Sequence, residues 1–244
     1  MLFRSGVTRS LSGISVAQFA GITPAQIASM STTRINVLPT TVFSAFTTAQ
    51  LGGLTAAQIA ALDSTHIAAL TAAEVDMLSA AQLKALTSAQ ISNFVVTQAQ
   101  ALTGADLSAL TNNTLNGLGA TNFAVFTTAQ LGGLTATQFS SIYYANLNGL
   151  NAGLIPALAN TQLAALAGTQ LNHLDNAHFA ALTSTQIGLL AGTQLRGLDA
   201  THVGDLSAAQ IAGLTRNSLN ALTTTQVKGL EVGDRSEEHT SELQ

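Results

Sequence analysis

The chain has 244 residues, with 8 basic and 12 acidic side chains for a net charge of −4, and only 8% of its residues are charged where about a quarter is usual. It contains no Cys, which excludes a disulfide scaffold, a zinc–thiolate centre and a thiol nucleophile. So few Lys and Arg argue against a nucleic-acid surface, and a hydrophobic content of 47% argues against ordinary disorder.

In chain order, the first five residues, Met1 to Ser5 (MLFRS), resemble the translation of a sequencing adapter. A repeat with a period of eight then takes over. Stepping by eight from Ile14 gives Ile22, Met30, Leu38, Phe46, Leu54 and Leu62, and the series stays apolar as far as Leu230. A second series runs from Leu11 through Phe19, Ile27, Ile35 and Phe43 to Val227, with Ala99 its one small member. We number the octad so that the first series is position one and the second is position six. Its consensus is Leu-Thr-x-x-Gln-Ile-x-Ala, shown cleanly by Leu54 to Ala61 (LTAAQIAA).

A continuous helix does not fit, because eight residues overshoot two turns by about 80° and would smear the apolar residues around the cylinder. A straight strand does not fit either. Spacings of five and three are both odd, so successive apolar residues would face opposite ways. The chain must turn once per octad. Position two is mostly Thr, Ser or Asp, and position five is often Gln, Glu or His, as in Thr55/Gln58, Asp63/His66 and Thr71/Glu74. That is a capping box, with positions one and six as its hydrophobic staple. Ala or Gly at position eight permits a close approach or a helix stop. The expectation is an all-α solenoid of short capped helices, one per octad, held in a cooperative array because such helices are too short to stand alone. A β-solenoid is the alternative. Regular Thr favours it, and abundant Ala, Gln and Leu disfavour it.

Departures from the repeat follow in order. Pro24 falls at the first helical position, which tolerates proline. Asp at position two occurs only with His at position five, in Asp63/His66, Asp175/His178 and Asp199/His202. These pairs read as variant helix caps, mildly pH-sensitive through the histidine. The competing reading is a metal site where His178 and His202, three octads apart, would stack if three octads make one turn; it lacks a third ligand. From Leu107 to Leu174 there is no charged side chain, yet frequent Thr, Asn and Gln exclude a transmembrane segment. The least regular stretch spans residues 143–160. Tyr143 and Tyr144 lack a cap, Leu154 replaces the usual Gln, and Pro156 should disturb a helix, so this stretch is either tolerated drift or a kink or partner contact. His173 stands at position eight as a surface substitution. The last ten residues, Arg235 to Gln244 (RSEEHTSELQ), also resemble translated adapter. The expectation is that residues 6–234 are a single octapeptide-repeat solenoid, a fragment of a longer protein.

The units LTAAQIAAL, FTTAQLGGL, LTSTQIGLL and LSAAQIAGL resemble the LTTAQIAAL-type octapeptide arrays of large bacterial secreted and surface proteins. The resemblance implies a secreted or cell-surface setting and a structural role as spacer, stalk or adhesive scaffold. The calcium-binding signature that accompanies some such arrays is absent, so no calcium site carries over. The Ser and Thr residues recur as caps and not beside a unique His and carboxylate, and Gly52-Gly53 and Gly132-Gly133 lack the Lys of a phosphate loop. No catalytic residue, metal or cofactor is expected. The partners considered are a second copy of the chain, an extracellular glycan or protein, and ice.

Overall fold

The computed structural model describes residues 11–230; the adapter-like ends lie outside the described residues. Helices of four to six residues recur once per octad, such as Thr48–Gly52, Ala56–Ala61, Ser64–Ala69 and Ala72–Asp76, and no strand occurs among the described residues. The all-α solenoid is therefore the architecture, and the β alternative is set aside.

Each helix is built by a few local bonds. In the octad from Leu54, Thr55 is extended (φ −73°, ψ 158°) and its side chain accepts the Gln58 N–H. The Ile59 N–H closes the first helical turn onto the Thr55 carbonyl at 3.0 Å, and the Leu62 N–H closes a tighter turn onto Ile59 at 3.2 Å. Leu62 is itself extended (φ −61°, ψ 137°), so two consecutive extended residues make a corner before the next helix. Pro24 opens the helix Pro24–Ala28. Pro156 lies inside Ala152–Ala157, which winds as a 3-10 helix where neighbouring octads form α-helices. Proline lacks the N–H that an α-turn would use, which accounts for the difference.

The chain divides into two compact units, Met1–Leu118 and Gly119–Gln244. Within each, helices pack on the helix three octads away. Thr32–Asn36, Ala56–Ala61 and Ala80–Ala85 stack in this way in the first unit, and Asn160–Ala165, Ser184–Leu189 and Ala208–Gly213 do so in the second. Three octads thus make one turn. Position six points inward and is fully buried at Ile27, Ile35, Leu51 and Ile59; position one closes the corner at Leu54 and Leu62. Each such side chain contributes roughly 1.5–3 kcal/mol when buried. Bulk varies along the interior, with Phe43 stacked on Phe46 at 4.7 Å and Ala99 also fully buried. Position eight is mostly small, and its glycines meet the backbone of the adjacent turn at Gly53 and Gly149. A Cβ on Gly53 would lie 2.7 Å from Pro24 Cα, and one on Gly149 would lie 2.7 Å from Ala120 Cα.

Candidate functional site: the capping network between turns

The position-five side chain does two jobs. Gln58 Oε1 accepts the Thr55 N–H at 2.7 Å, completing the capping box, while its Nε2 donates to the carbonyls of Ile27 at 2.7 Å and Met30 at 2.8 Å. Those carbonyls lie at the C-terminal end of a helix in the preceding turn, where intrahelical donors run out. One amide therefore caps the start of its own helix and the end of another.

The arrangement repeats with constant register. Gln82 donates to Leu51 and Leu54, Gln90 to Ile59 and Leu62, and Gln98 to Ile67 and Leu70, always 31 and 28 residues back. In the second unit Gln162, Gln194 and Gln226 do the same. Where position two is Val95, Ala159, Ala167 or Ala191, the hydroxyl half of the cap is lost and the glutamine half persists. Several threonine hydroxyls are committed in both directions, as where Thr87 Oγ1 accepts the Gln90 N–H and donates to Gln90 Oε1.

Glu74 keeps the cap and alters the contact with the preceding turn. Glu74 Oε2 accepts from the Thr71 N–H at 2.7 Å and the Thr71 hydroxyl at 2.8 Å, as a glutamine Oε1 would. Its Oε1 is buried without a hydrogen-bond partner. This oxygen stands where the amide nitrogen stands in the other octads, and register places the carbonyls of Phe43 and Phe46 beneath it.

The three Asp/His pairs form one module each. Asp63 Oδ1 accepts the His66 N–H at 2.9 Å and contacts His66 Nδ1 at 2.7 Å; His66 Nε2 lies 2.7 Å from the Leu38 carbonyl. Asp175/His178 with Leu150, and Asp199/His202 with Leu174, repeat this geometry. Histidine cannot also accept the cap residue's own N–H, and a third residue takes over. Asn36 Oδ1 accepts the Asp63 N–H at 3.3 Å, Asn148 that of Asp175 at 3.1 Å, and Asn172 that of Asp199 at 2.6 Å, each from 27 residues back. The asparagines were not singled out from sequence, although all three Asp/His octads share them.

Both imidazole nitrogens of each histidine face oxygens, Nδ1 the aspartate carboxylate and Nε2 a backbone carbonyl of the preceding turn. All three aspartates sit below their ordinary pKa of 3.8. At Asp63 burial pushes upward and is outweighed by the hydrogen bonds from His66 and by its ring charge. At Asp175 and Asp199 the His178 and His202 backbone N–H bonds are the main cause. With both ring nitrogens engaged within the protein, His178 and His202 aim no lone pair at a shared ion. Among the described residues no group of three or more His, Cys, Asp or Glu could hold a metal.

Residues 40–72 match the family model for the ALTTAQ repeat. No curated protein matches the chain. The matched stretch contains the helices Thr40–Phe43, Thr48–Gly52, Ala56–Ala61 and Ser64–Ala69, and with them the Gln50 and Gln58 bonds and the Asp63/His66 module. The likeness to the ALTTAQ repeat therefore covers both versions of the cap.

The irregular stretch carries the exposed aromatics. Tyr143 and Tyr144 are 60% and 54% exposed, and Tyr144 stacks on His173 with ring centroids 4.8 Å apart. Tyr144 is at position three and His173 at position eight of the next turn, the register at which Gly149 meets Ala120. Asn148 bridges to the His173 carbonyl at 2.8 Å. Leu154 leaves its octad without a position-five cap, and Asn151 caps by accepting the Gly153 N–H instead. No helix among the described residues is long and apolar enough to cross a membrane.

Proposed function

We propose that this chain is a structural repeat segment, a spacer, stalk or adhesive scaffold of a large bacterial secreted or surface protein, with no catalysis of its own. The observation that carries the reading is the glutamine register. The buried polar side chains at position five are spent on the carbonyls of the preceding turn, so the polar chemistry of the repeat serves assembly of the array. The bacterial surface setting rests on the resemblance of the octads alone.

The absence of native Cys allows a clean test. Cysteines placed at the exposed Ala45 and Ser108, both in the first unit, would carry a dye pair, and residues 63–86 (three octads) would be duplicated between them. A spacer lengthens by the same increment with each duplicated turn while helicity per residue stays constant. A distance that does not grow, or a duplicated turn that is not helical, refutes it.

A second reading is a module for a repetitive ligand. The stacked pair Tyr144 and His173, beside the exposed Tyr143, favours a glycan over ice, since stacked aromatic faces suit sugar rings and the position-two hydroxyls are taken by the caps. Titration with polysaccharides should then show binding that Tyr144→Ala abolishes. Binding unchanged in that variant would move the site elsewhere.

A further inference from the structure

We propose that an open groove between the stacked helices Ala80–Ala85 and Gly104–Ala109 binds an acidic polysaccharide, with a sugar carboxylate pairing with Lys84. The groove belongs to the first unit, whereas Tyr144 and His173 belong to the second. The inference therefore rests neither on the spacer reading nor on the aromatic pair.

Three observations carry it. The first is space. The two helices pack on each other three octads apart, and the side chains that face the gap are short: Ala80 and Ala81 on one helix, Ala109 on the other. The groove they leave has a volume of about 470 Å³. Small-ligand sites occupy about 300–1,000 Å³. Walls of methyl groups suit the C–H face of a sugar ring.

The second is charge. Lys84, exposed in the last turn of Ala80–Ala85, lines this groove. Among the described residues it has no ion pair, and no acid lines the groove with it. Asp106 on the facing helix is committed to its own cap, where Oδ2 accepts the Thr103 N–H at 2.8 Å and the Thr103 hydroxyl at 2.6 Å. Lys84 is thus a lone cation on a chain of net charge −4. A polyanion held here is held by this site and not by the overall field of the protein.

The third is the sense of the hydrogen bonds. Ser108 and Thr111 line the groove, and both hydroxyl protons are spent. Ser108 Oγ donates to the Ala105 carbonyl at 2.7 Å. Thr114 Oγ1 donates to the Leu86 carbonyl at 2.9 Å, so in the 2.8 Å contact between the two threonine hydroxyls it is Thr111 that donates. What Ser108 and Thr111 can still offer is lone pairs. A fitting ligand brings hydroxyl donors for these oxygens as well as an anion for Lys84. A sugar that carries a carboxylate has both on one ring. A neutral sugar lacks the anion, and a chain of acidic amino acids lacks the hydroxyls.

Titration calorimetry of the full chain with polygalacturonate, at low salt and without divalent cations, tests this. The wild type should bind, added salt should weaken the binding, and excess dextran should not compete. Lys84→Gln removes a charged hydrogen bond and should weaken binding about tenfold or more, while Lys84→Arg should retain it. Ala81→Phe keeps the charge but fills the groove and should also weaken binding; Ala80→Phe serves in its place if Ala81→Phe loses helicity by circular dichroism. Tyr144→Ala should bind as the wild type does, which separates this site from the aromatic pair. No binding by the wild type, unchanged binding in Lys84→Gln or in the groove-filling variant, loss of binding in Tyr144→Ala, or equal binding of polyglutamate overturns the proposal.

Discussion

Replacing Glu74 by Gln changes one buried oxygen to an NH2 group and should stabilise the first unit. Glu74 is 5% exposed, and its Oε1 has no partner. The cap through Oε2 is already made and is kept by a glutamine Oε1. What changes is the other atom. An acceptor set against the carbonyls of Phe43 and Phe46 becomes a donor, as in Gln82, which reaches Leu51 at 2.8 Å and Leu54 at 2.9 Å. An unsatisfied buried polar group costs about 1–3 kcal/mol, and each net hydrogen bond gains about 0.5–1.5 kcal/mol. Since such contributions are not fully additive, the expected gain is about 2–4 kcal/mol. Urea unfolding followed by far-ultraviolet circular dichroism would show the midpoint rising with little change in slope. Gln82→Glu is the reverse experiment and should lose a similar amount, while Glu74→Ala removes the cap and should destabilise. If Glu74→Gln and Gln82→Glu are both neutral, the bonds between turns contribute nothing to stability and the account of the array is wrong.

Three further expectations can be checked in the same way. Asn36→Ala removes both the acceptor for the Asp63 N–H and the Asn36 Nδ2 bond to the Ala61 carbonyl at 2.6 Å, each net bond contributing about 0.5–1.5 kcal/mol; in an Asp63→Thr, His66→Gln background, where the glutamine takes that N–H, only the Ala61 bond is lost, so the cost should fall by about half, and a double-mutant cycle measures the coupling. The lowered pKa values of Asp63, Asp175 and Asp199 mean that their ionised forms stabilise the fold above the ordinary value of 3.8, a contribution lost as pH falls through the lower folded values. The stability difference between wild type and the triple Asp→Asn variant should therefore shrink in acid, and a difference that grows there would contradict the cap geometry. Gly52 and Gly53 should respond oppositely. Nothing lies within 4 Å of a Cβ on Gly52, in the last turn of Thr48–Gly52, so Gly52→Ala should gain up to about 1 kcal/mol from helix propensity. Gly53→Val drives its side chain into the Pro24 backbone and should cost about 1–3 kcal/mol or more in thermal melts.

Much of the architecture is legible in the sequence because its causes are local. The Thr55/Gln58 cap, the Ile59 staple position and the tolerance for Pro24 each depend on residues within one octad. Pro156 announces its disturbance equally directly, and the structure answers with a 3-10 turn. The small residue at position eight was readable as a close approach, though not that its neighbour would be position three of another turn. The donating half of position-five glutamine was hidden for a different reason. A capping box already explains a glutamine there, so nothing is left over to point to carbonyls 28 and 31 residues away. Glu74 looked as good a capping residue as Gln for the same reason, and only the second oxygen distinguishes them. Asn36, Asn148 and Asn172 left a trace in the sequence, since each precedes its Asp by the same distance. The trace has meaning only once two turns are known to be adjacent.

The direction of the glutamine bonds has a consequence for how the chain assembles. In every such pair the donor follows its acceptors, by 28 and 31 residues. During synthesis the carbonyls of a finished turn are already in place when the next glutamine emerges, and that glutamine waits for nothing downstream. The array can therefore ratchet forward from its N-terminal side at a fixed lag of about one turn. Because that lag does not grow with the number of octads, relative contact order falls as the chain lengthens, and long arrays meet no steeper kinetic barrier than short ones.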